Sequence, residues 1–294
     1  MDSRKVKCLL TVLEAGSINA AAERLHGTQS GITQTMNAIE NELGFKVLLR
    51  TNRGVELTEE GKMILPAIRT LDADFISLER QAEDIVKGKS GTIRIATYSS
   101  IANSWLPEMM LRYEQGHPDE SFDLTIGTDE LADLLSTGKV DMLLADEPLS
   151  KGFTWYPILR DEFQAAIPAA FDLSDKEVVT IDELMEYPMI IGALNTHKEF
   201  REMPEGLKGR VIRVGADDDT TIIRMVSKEL GVSIMAGLSL RQMMPDNVRI
   251  VSLDPPIYRE IGAVLPERPS KTARRFTRFL IEQEKGKEND RKVI

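Results

Sequence analysis

The sequence predicts a mixed fold: a helical N-terminal module of winged helix-turn-helix type, a long linker helix, and a C-terminal α/β body. Three observations predict it. Residues 17–58 hold two amphipathic helix patterns around a glycine turn, then two β-like runs around a polar turn. Residues 58–87 hold an apolar repeat that alternates fours and threes. Beyond Lys87-Gly88-Lys89-Ser90-Gly91, β-like runs alternate with helical patterns, which implies a parallel sheet with crossover helices.

In chain order, Val6, Leu9, Leu10 and Leu13 predict a first helix closed by Gly16. Ser17 suits the N-cap of a second, in which Ile18, Ala21, Ala22 and Leu25 fall at i, i+3, i+4 and i+7, one buried stripe. His26-Gly27 breaks the pattern and Thr28 caps a third helix, with Ile32, Met36, Ile39 and Leu43 as its apolar side. The opposite side carries Ser30, Thr33, Gln34, Asn37 and Asn41. A solvated helix face ordinarily mixes Lys and Glu. This one offers uncharged hydrogen-bonding groups, the types that read base edges in a major groove. An ordinary solvent face is the alternative. Val47 to Leu49 and Val55 to Leu57 then predict a hairpin around Arg50-Thr51-Asn52-Arg53-Gly54, with arginines placed for backbone phosphate or a minor groove.

The formal charge of -10 looks wrong for a nucleic-acid binder until it is partitioned. Residues 1–58 hold seven basic side chains (Arg4, Lys5, Lys7, Arg24, Lys46, Arg50, Arg53) against six acidic ones (Asp2, Glu14, Glu23, Glu40, Glu42, Glu56). Nearly all the acid lies downstream, where it would repel DNA and orient the encounter. Cys8 is the single cysteine, which excludes an internal disulfide and fits a reducing compartment. Beside Leu9 and Leu10 it reads as a core-edge thiol rather than a redox sensor. No stretch approaches 18 apolar residues and no signal-peptide pattern opens the chain, so the expected location is cytoplasmic.

Ile64, Ile68, Leu71, Phe75, Leu78, Ala82 and Ile85 form the repeat of the linker helix. Sustained over this length it predicts a coiled-coil seam to a second subunit; packing on its own module is the alternative. Pro66 is expected to kink the helix near its start. In the body we read strands at 92–96, 122–126, 140–145, 162–167, 189–192, 210–214, 232–236 and 258–265. Helices are expected at 101–114, 130–135, 181–185, 221–229 and 271–284, with residues 286–292 frayed.

Enzyme chemistry finds little support. His26, His117 and His197 are the only histidines, and none sits at a metal-ligand or triad spacing. There is no phosphate-cradling glycine loop, so no catalytic residue, metal or cofactor is expected. Asp217-Asp218-Asp219 reads as the acidic start of a helix rather than a cation site. A ligand is expected where strands end and helices begin. Tyr98, Ser99 and Ser100 hold such a place, as do Thr128, Asn195 and Thr220, and simple helix capping is the alternative for each. Lys198 and Arg201 would favour an anion; Asp129 and Asp218 would favour an amine or zwitterion. The hydroxyls and free N–H groups tilt the balance toward a carboxylate.

The run Ser17, Ala21-Ala22, Leu25, Gln29-Ser30, Ile39-Glu40, Leu43-Gly44, Arg50, Arg53, Leu57-Thr58 and Gly61 resembles the DNA-binding module of LysR-type transcriptional regulators. It departs from the usual pattern at Gln34, where a basic residue is frequent. Ile18 and Leu48 replace habitual phenylalanines, and Ala20 and Leu49 fill positions that are often polar. Strand crossings near 160–168 and 258–266 make the body similar to that family's effector domain, whose two lobes resemble periplasmic solute-binding proteins and hold a small ligand between them. The resemblance implies a DNA-binding domain at 1–58, a dimerisation helix at 59–88 and an effector-binding domain at 91–294. Its first lobe would span about 91–161 with 266–285, and its second about 162–265. It implies a dimer or tetramer on double-stranded DNA, contacted through Thr28, Gln29, Ser30, Thr33, Gln34, Asn37, Arg50 and Arg53. A winged-helix regulator with no ligand response, or a two-lobed solute-binding protein, are the rival readings. Neither the effector nor the operator is written in the sequence.

Overall fold

The computed structural model describes residues 1–51, 54–86, 91–127, 130–192, 210–214, 218–241 and 244–291. The chain divides into two compact units, Met1–Gly88 with Ser136–Lys139, and Lys89–Leu135 with Val140–Ile294.

The first unit begins with three helices, α1 (Ser3–Ala15), α2 (Ile18–Arg24) and α3 (Gln29–Leu43). Each starts on a side-chain cap that satisfies an otherwise orphaned N–H. Asp2 accepts from the Lys5 N–H at 2.9 Å, Ser17 from Ala20 at 3.1 Å, and Thr28 from Gly31 at 3.1 Å. Gly16 and Gly44 close α1 and α3 in the left-handed conformation, with φ of 69° and 82°. The expected stripes become the core: Val6, Leu9, Val12, Ala21, Ala22, Ile32, Met36 and Ile39 are buried together. Cys8 is buried among them, and burial pushes its thiol pKa up. Strands β1 (Leu48–Thr51) and β2 (Gly54–Leu57) pair antiparallel as the wing, Leu48 opposite Leu57. The Val55 N–H donates to the Gly16 carbonyl at 3.0 Å.

Helix α4 runs from Glu59 to Val86 with Pro66 inside it. Its apolar repeat divides in two. Ile68 is buried in the module core, and Ile64, Leu71 and Phe75 pack against the same core. Leu78 and Ile85 are exposed, 64% and 76%. The first half of the expected seam is therefore spent inside the chain, and only the second half is open.

The second unit is built on two long antiparallel strands, β6 (Thr154–Pro168) and β11 (Val248–Leu265), paired along most of their length. They carry the sheet order β10-β6-β11-β5-β3-β4, in which β3 is Gly91–Thr97, β4 Glu120–Ile126, β5 Met142–Asp146 and β10 Ser233–Ala236. Strands β3, β4 and β5 pair in parallel, as the alternating pattern predicts. The short β7 (Val178–Val179) pairs with β11, and β8 (Met189–Ile191) pairs with β9 (Val211–Arg213). Around one end of the long strands, Ile93, Ile95, Leu106, Met109, Tyr113, Ile261, Phe276 and Leu280 form one core. Around the other, Phe163, Leu184, Met189, Val232, Ile234 and Leu253 form a second. These are the two lobes.

Several expectations need correction. The helix expected at 101–114 is two, α5 (Ser99–Ala102) and α6 (Leu106–Gly116), because Pro107 belongs at a helix start and not in an interior. Strands β6 and β11 begin at Thr154 and Val248, well before the expected 162 and 258. The remaining helices are α7 (Leu131–Ser136), α8 (Ile181–Met185), α9 (Asp219–Ser227), the unexpected short α10 (Gly237–Leu240) and α11 (Lys271–Arg291). Helix α11 continues through Gly286 to Arg291 rather than fraying there.

Candidate nucleic-acid interface and effector site

The turn between α2 and α3 is tight because His26 adopts φ 50° and the Gly27 N–H reaches back to the Ala22 carbonyl at 2.8 Å. This leaves α3 with one side buried on the module core and the other open. Thr28, Gln29, Ser30, Gln34 and Asn37 are exposed, and Thr33 is half-buried. Thr28 is partly occupied by its cap, since its hydroxyl also lies 3.1 Å from that of Ser30. The open face thus presents uncharged donors and acceptors on a rigid helix, the arrangement that major-groove readout uses. Arg50 lies on β1 opposite Val55. Arg53 falls outside the described residues.

In the second unit, Tyr98 is the N-cap of α5, and its hydroxyl donates to the Asp146 carboxylate. Ser99 is the first residue of that helix. Ser100 is buried, and its hydroxyl accepts from the Arg259 guanidinium at 2.9 Å. Arg259 is itself buried and pairs with Asp161, with Nε 2.9 Å from Oδ2 and Nη2 2.8 Å from the same oxygen. The other oxygen of Asp161 accepts from the Leu238 N–H of α10 at 3.0 Å. Thr220 is the second residue of α9 and exposed. The helix is capped by Asp218, which accepts from the Thr221 N–H at 3.0 Å, as the capping reading of the acidic run expects. Burial pushes the Asp219 carboxyl up, against a hydrogen bond from Ser239 and the charge of Arg259, while Asp218 and Asp161 add to the rise. Thr128 and Asn195 lie outside the described residues, as do Asp129, Lys198 and Arg201.

Arg259 and Asp161 therefore join the start of α5 in the first lobe to α10, with α9 close enough to feel the guanidinium. Sequence reasoning missed both, because neither stands in a local pattern. They meet only through the antiparallel register that sets Arg259 opposite Asp161. Among the described residues no cluster of three or more His, Cys, Asp or Glu is placed to hold a metal. His117 stacks on Tyr113, with ring centroids 4.1 Å apart. No helix of the described residues is long and apolar enough to cross a membrane.

An exposed recognition helix with a wing, and a two-lobed α/β body around a shared pair of crossing strands, define a ligand-responsive DNA-binding regulator. Residues 3–62 match the family of bacterial regulatory helix-turn-helix proteins of the lysR type, and residues 87–285 match the LysR substrate binding domain. The chain belongs to the LysR family of transcriptional regulators. It is similar to LrrA, a probable helix-turn-helix regulator of Synechococcus elongatus, at 31% identity over 90% of each chain. Among solved structures, full-length OxyR from Pseudomonas aeruginosa is 19% identical with a TM-score of 0.62, covering 96% of this chain and 94% of that one. Full-length CbnR with its target DNA is 22% identical with a TM-score of 0.53, covering 95% and 98%.

Proposed function

We propose that the chain is a non-enzymatic, cytoplasmic, self-associating regulator. In this reading Gln29, Ser30, Thr33, Gln34 and Asn37 read bases, while Thr28, Arg50 and Arg53 hold the phosphate backbone. The observation that carries it is the exposed, uncharged face of α3 opposite a fully packed one. CbnR, similar over the whole chain, has been solved on its target DNA. The effector lies against Tyr98, Ser99, Ser100 and Thr220, with Thr128 and Asn195 as further contacts. The hydrogen bond from the buried Arg259 to the Ser100 hydroxyl supports this, since it brings a cation to the start of α5. Self-association uses the open half of the α4 repeat.

Gel shifts across a salt series on specific and mixed-sequence duplexes test the DNA half. Asn37→Ala is expected to weaken specific binding by about 1–3 kcal/mol and relax sequence preference. Arg50→Gln is expected to weaken binding to all sequences alike. Intact affinity and preference in Asn37→Ala would refute the recognition face. For the effector half, a thermal-shift screen with small metabolites is run on the native chain and on Ser100→Phe. Any metabolite shift retained by the variant removes Ser100 from the site.

A further inference from the structure

We propose that Glu40 is a positioning residue for DNA binding: it fixes the wing to the recognition helix and so sets where the wing meets the duplex. Glu40 sits on α3 two turns beyond Thr33, at the edge of the open face, yet it is only 8% exposed. One carboxylate oxygen accepts from the backbone N–H of Val47 at 3.0 Å and of Leu48 at 3.3 Å. The other accepts from Lys46 Nζ at 2.6 Å. These three residues are the root of the wing, and Arg50 follows two positions after Leu48.

The root is gripped from its other side as well. The Thr58 N–H donates to the Val47 carbonyl at 3.0 Å, and its hydroxyl donates to the Lys46 carbonyl at 2.7 Å. The same hydroxyl accepts from the Gly61 N–H at 2.9 Å. A Cβ on Gly61 would lie 2.4 Å from the Val47 carbonyl, so the start of α4 presses directly on the strand. Residues 46–48 are thus held between α3 and α4, and the carboxylate is the link to the helix that reads DNA.

The chemistry requires an acid at this place. Backbone donors and a cation converge on two oxygens, and a carboxylate is acceptor-only at both. Gln supplies one acceptor and turns its amide donors toward the other partners. A negative charge this close to a DNA-binding surface lowers affinity if it does nothing else. Its burial and its three partners point to a role through the wing.

The inference rests on the reading that the wing contacts phosphate, and the test separates the two. Binding of the full chain to a mixed-sequence duplex is measured across a salt series for Glu40→Gln, Arg50→Gln and the double variant. A phosphate contact contributes about 0.9 to the slope of log K against log salt. Glu40→Gln is expected to lower that slope by about one, although it removes a negative charge and would otherwise strengthen binding. A purely structural defect lowers the folded fraction and leaves the slope alone. In the Arg50→Gln background, Glu40→Gln is expected to cost nothing further. An unchanged slope in folded Glu40→Gln overturns the proposal, and so, where Arg50→Gln alone lowers the slope, does additive loss in the double variant. A lowered slope for Glu40→Gln with none for Arg50→Gln supports positioning and removes only the Arg50 assignment. Should Glu40→Gln not fold, Thr58→Val loosens the same root from its other side. Its slope loss must likewise vanish beside Arg50→Gln, and additivity there overturns the proposal.

Discussion

The two units build polar recognition surfaces in opposite ways. In the helix-turn-helix module the proposed base-reading groups, Gln29, Ser30, Thr33, Gln34 and Asn37, lie on one helix within ten residues of each other and, apart from the half-buried Thr33, are exposed. In the two-lobed body the polar groups come from four distant places in the chain, Ser100, Asp161, Leu238 and Arg259, and satisfy one another in the interior. The first arrangement is a surface that waits for a partner. The second is a strut on which the proposed effector groups rest. Substitution should therefore cost affinity in the first and stability in the second.

The largest expected effect separates the two directly. Arg259→Met keeps side-chain bulk but leaves Asp161 buried with its charge uncompensated, and removes the donor on Ser100. Breaking a buried pair from one side costs about 3–5 kcal/mol. Trp105 and Trp155, the only two tryptophans, both lie in the second unit. Urea unfolding followed by their fluorescence reads that unit alone. Asn37→Ala, an exposed polar truncation in the module, is expected to stay within about 0.5 kcal/mol when unfolding is followed by the loss of helical circular dichroism, which includes the module. A loss below about 1 kcal/mol in Arg259→Met would mean that water already serves this cluster, and the contrast between the units would fall.

Helix α4 carries the same contrast along its own length. Leu71 packs on the module core, whereas Leu78 is exposed. Leu71→Ala is expected to lower the stability of the module. Leu78→Ala is expected to leave stability alone and weaken self-association about tenfold or more, from roughly 1.5–3 kcal/mol per buried leucine. Sedimentation over a concentration range decides it. Equal dissociation of both variants would restore the whole repeat as a seam.

This division also explains what could be read from the sequence. The module was legible because its signals are local: Ser17, Thr28, Gly16 and Gly44 at helix ends, apolar positions at helical spacing, and an uncharged face between them. The alternating elements of the body were legible for the same reason. The long strands were not. Trp155-Tyr156-Pro157 looks like a turn, and only its pairing with Gly262 to Val264 makes it strand, while Asp254-Pro255-Pro256 falls in the register shift between Ser252 and Ile257. The Arg259–Asp161 pair spans 98 positions, and no periodicity announces a contact at that range. The end of α11 was missed because Lys285 to Arg291 lacks the apolar stripe on which the prediction relied.

The smallest expected effect turns the comparison into a difference of sign with pH. In the module, burial raises the pKa of Glu40, but the Lys46 ammonium and the Val47 and Leu48 N–H groups outweigh it and hold the carboxyl below its ordinary 4.5. A carboxyl depressed in the folded state contributes stability above its unfolded pKa, and loses it as pH falls through the folded value. In the body, Asp219 is raised above its ordinary 3.8, first by burial and then by Asp218 and Asp161, against the Ser239 hydrogen bond and the Arg259 charge. A raised carboxyl carries a penalty when ionised, and that penalty is relieved as pH falls from above the folded value toward 3.8. Acidification from neutral pH to well below the ordinary values of 4.5 and 3.8 should therefore remove a stabilising contribution at Glu40 and a destabilising one at Asp219. Melting temperatures of Glu40→Gln and Asp219→Asn, each measured against the native chain across this range, isolate the two contributions. The gap between native and Glu40→Gln should narrow on acidification, while Asp219→Asn should gain on the native chain at neutral pH and lose that gain in acid. Gaps that move in the same direction would show that the two carboxylates share one kind of environment, and the distinction between the two units would not extend to their electrostatics.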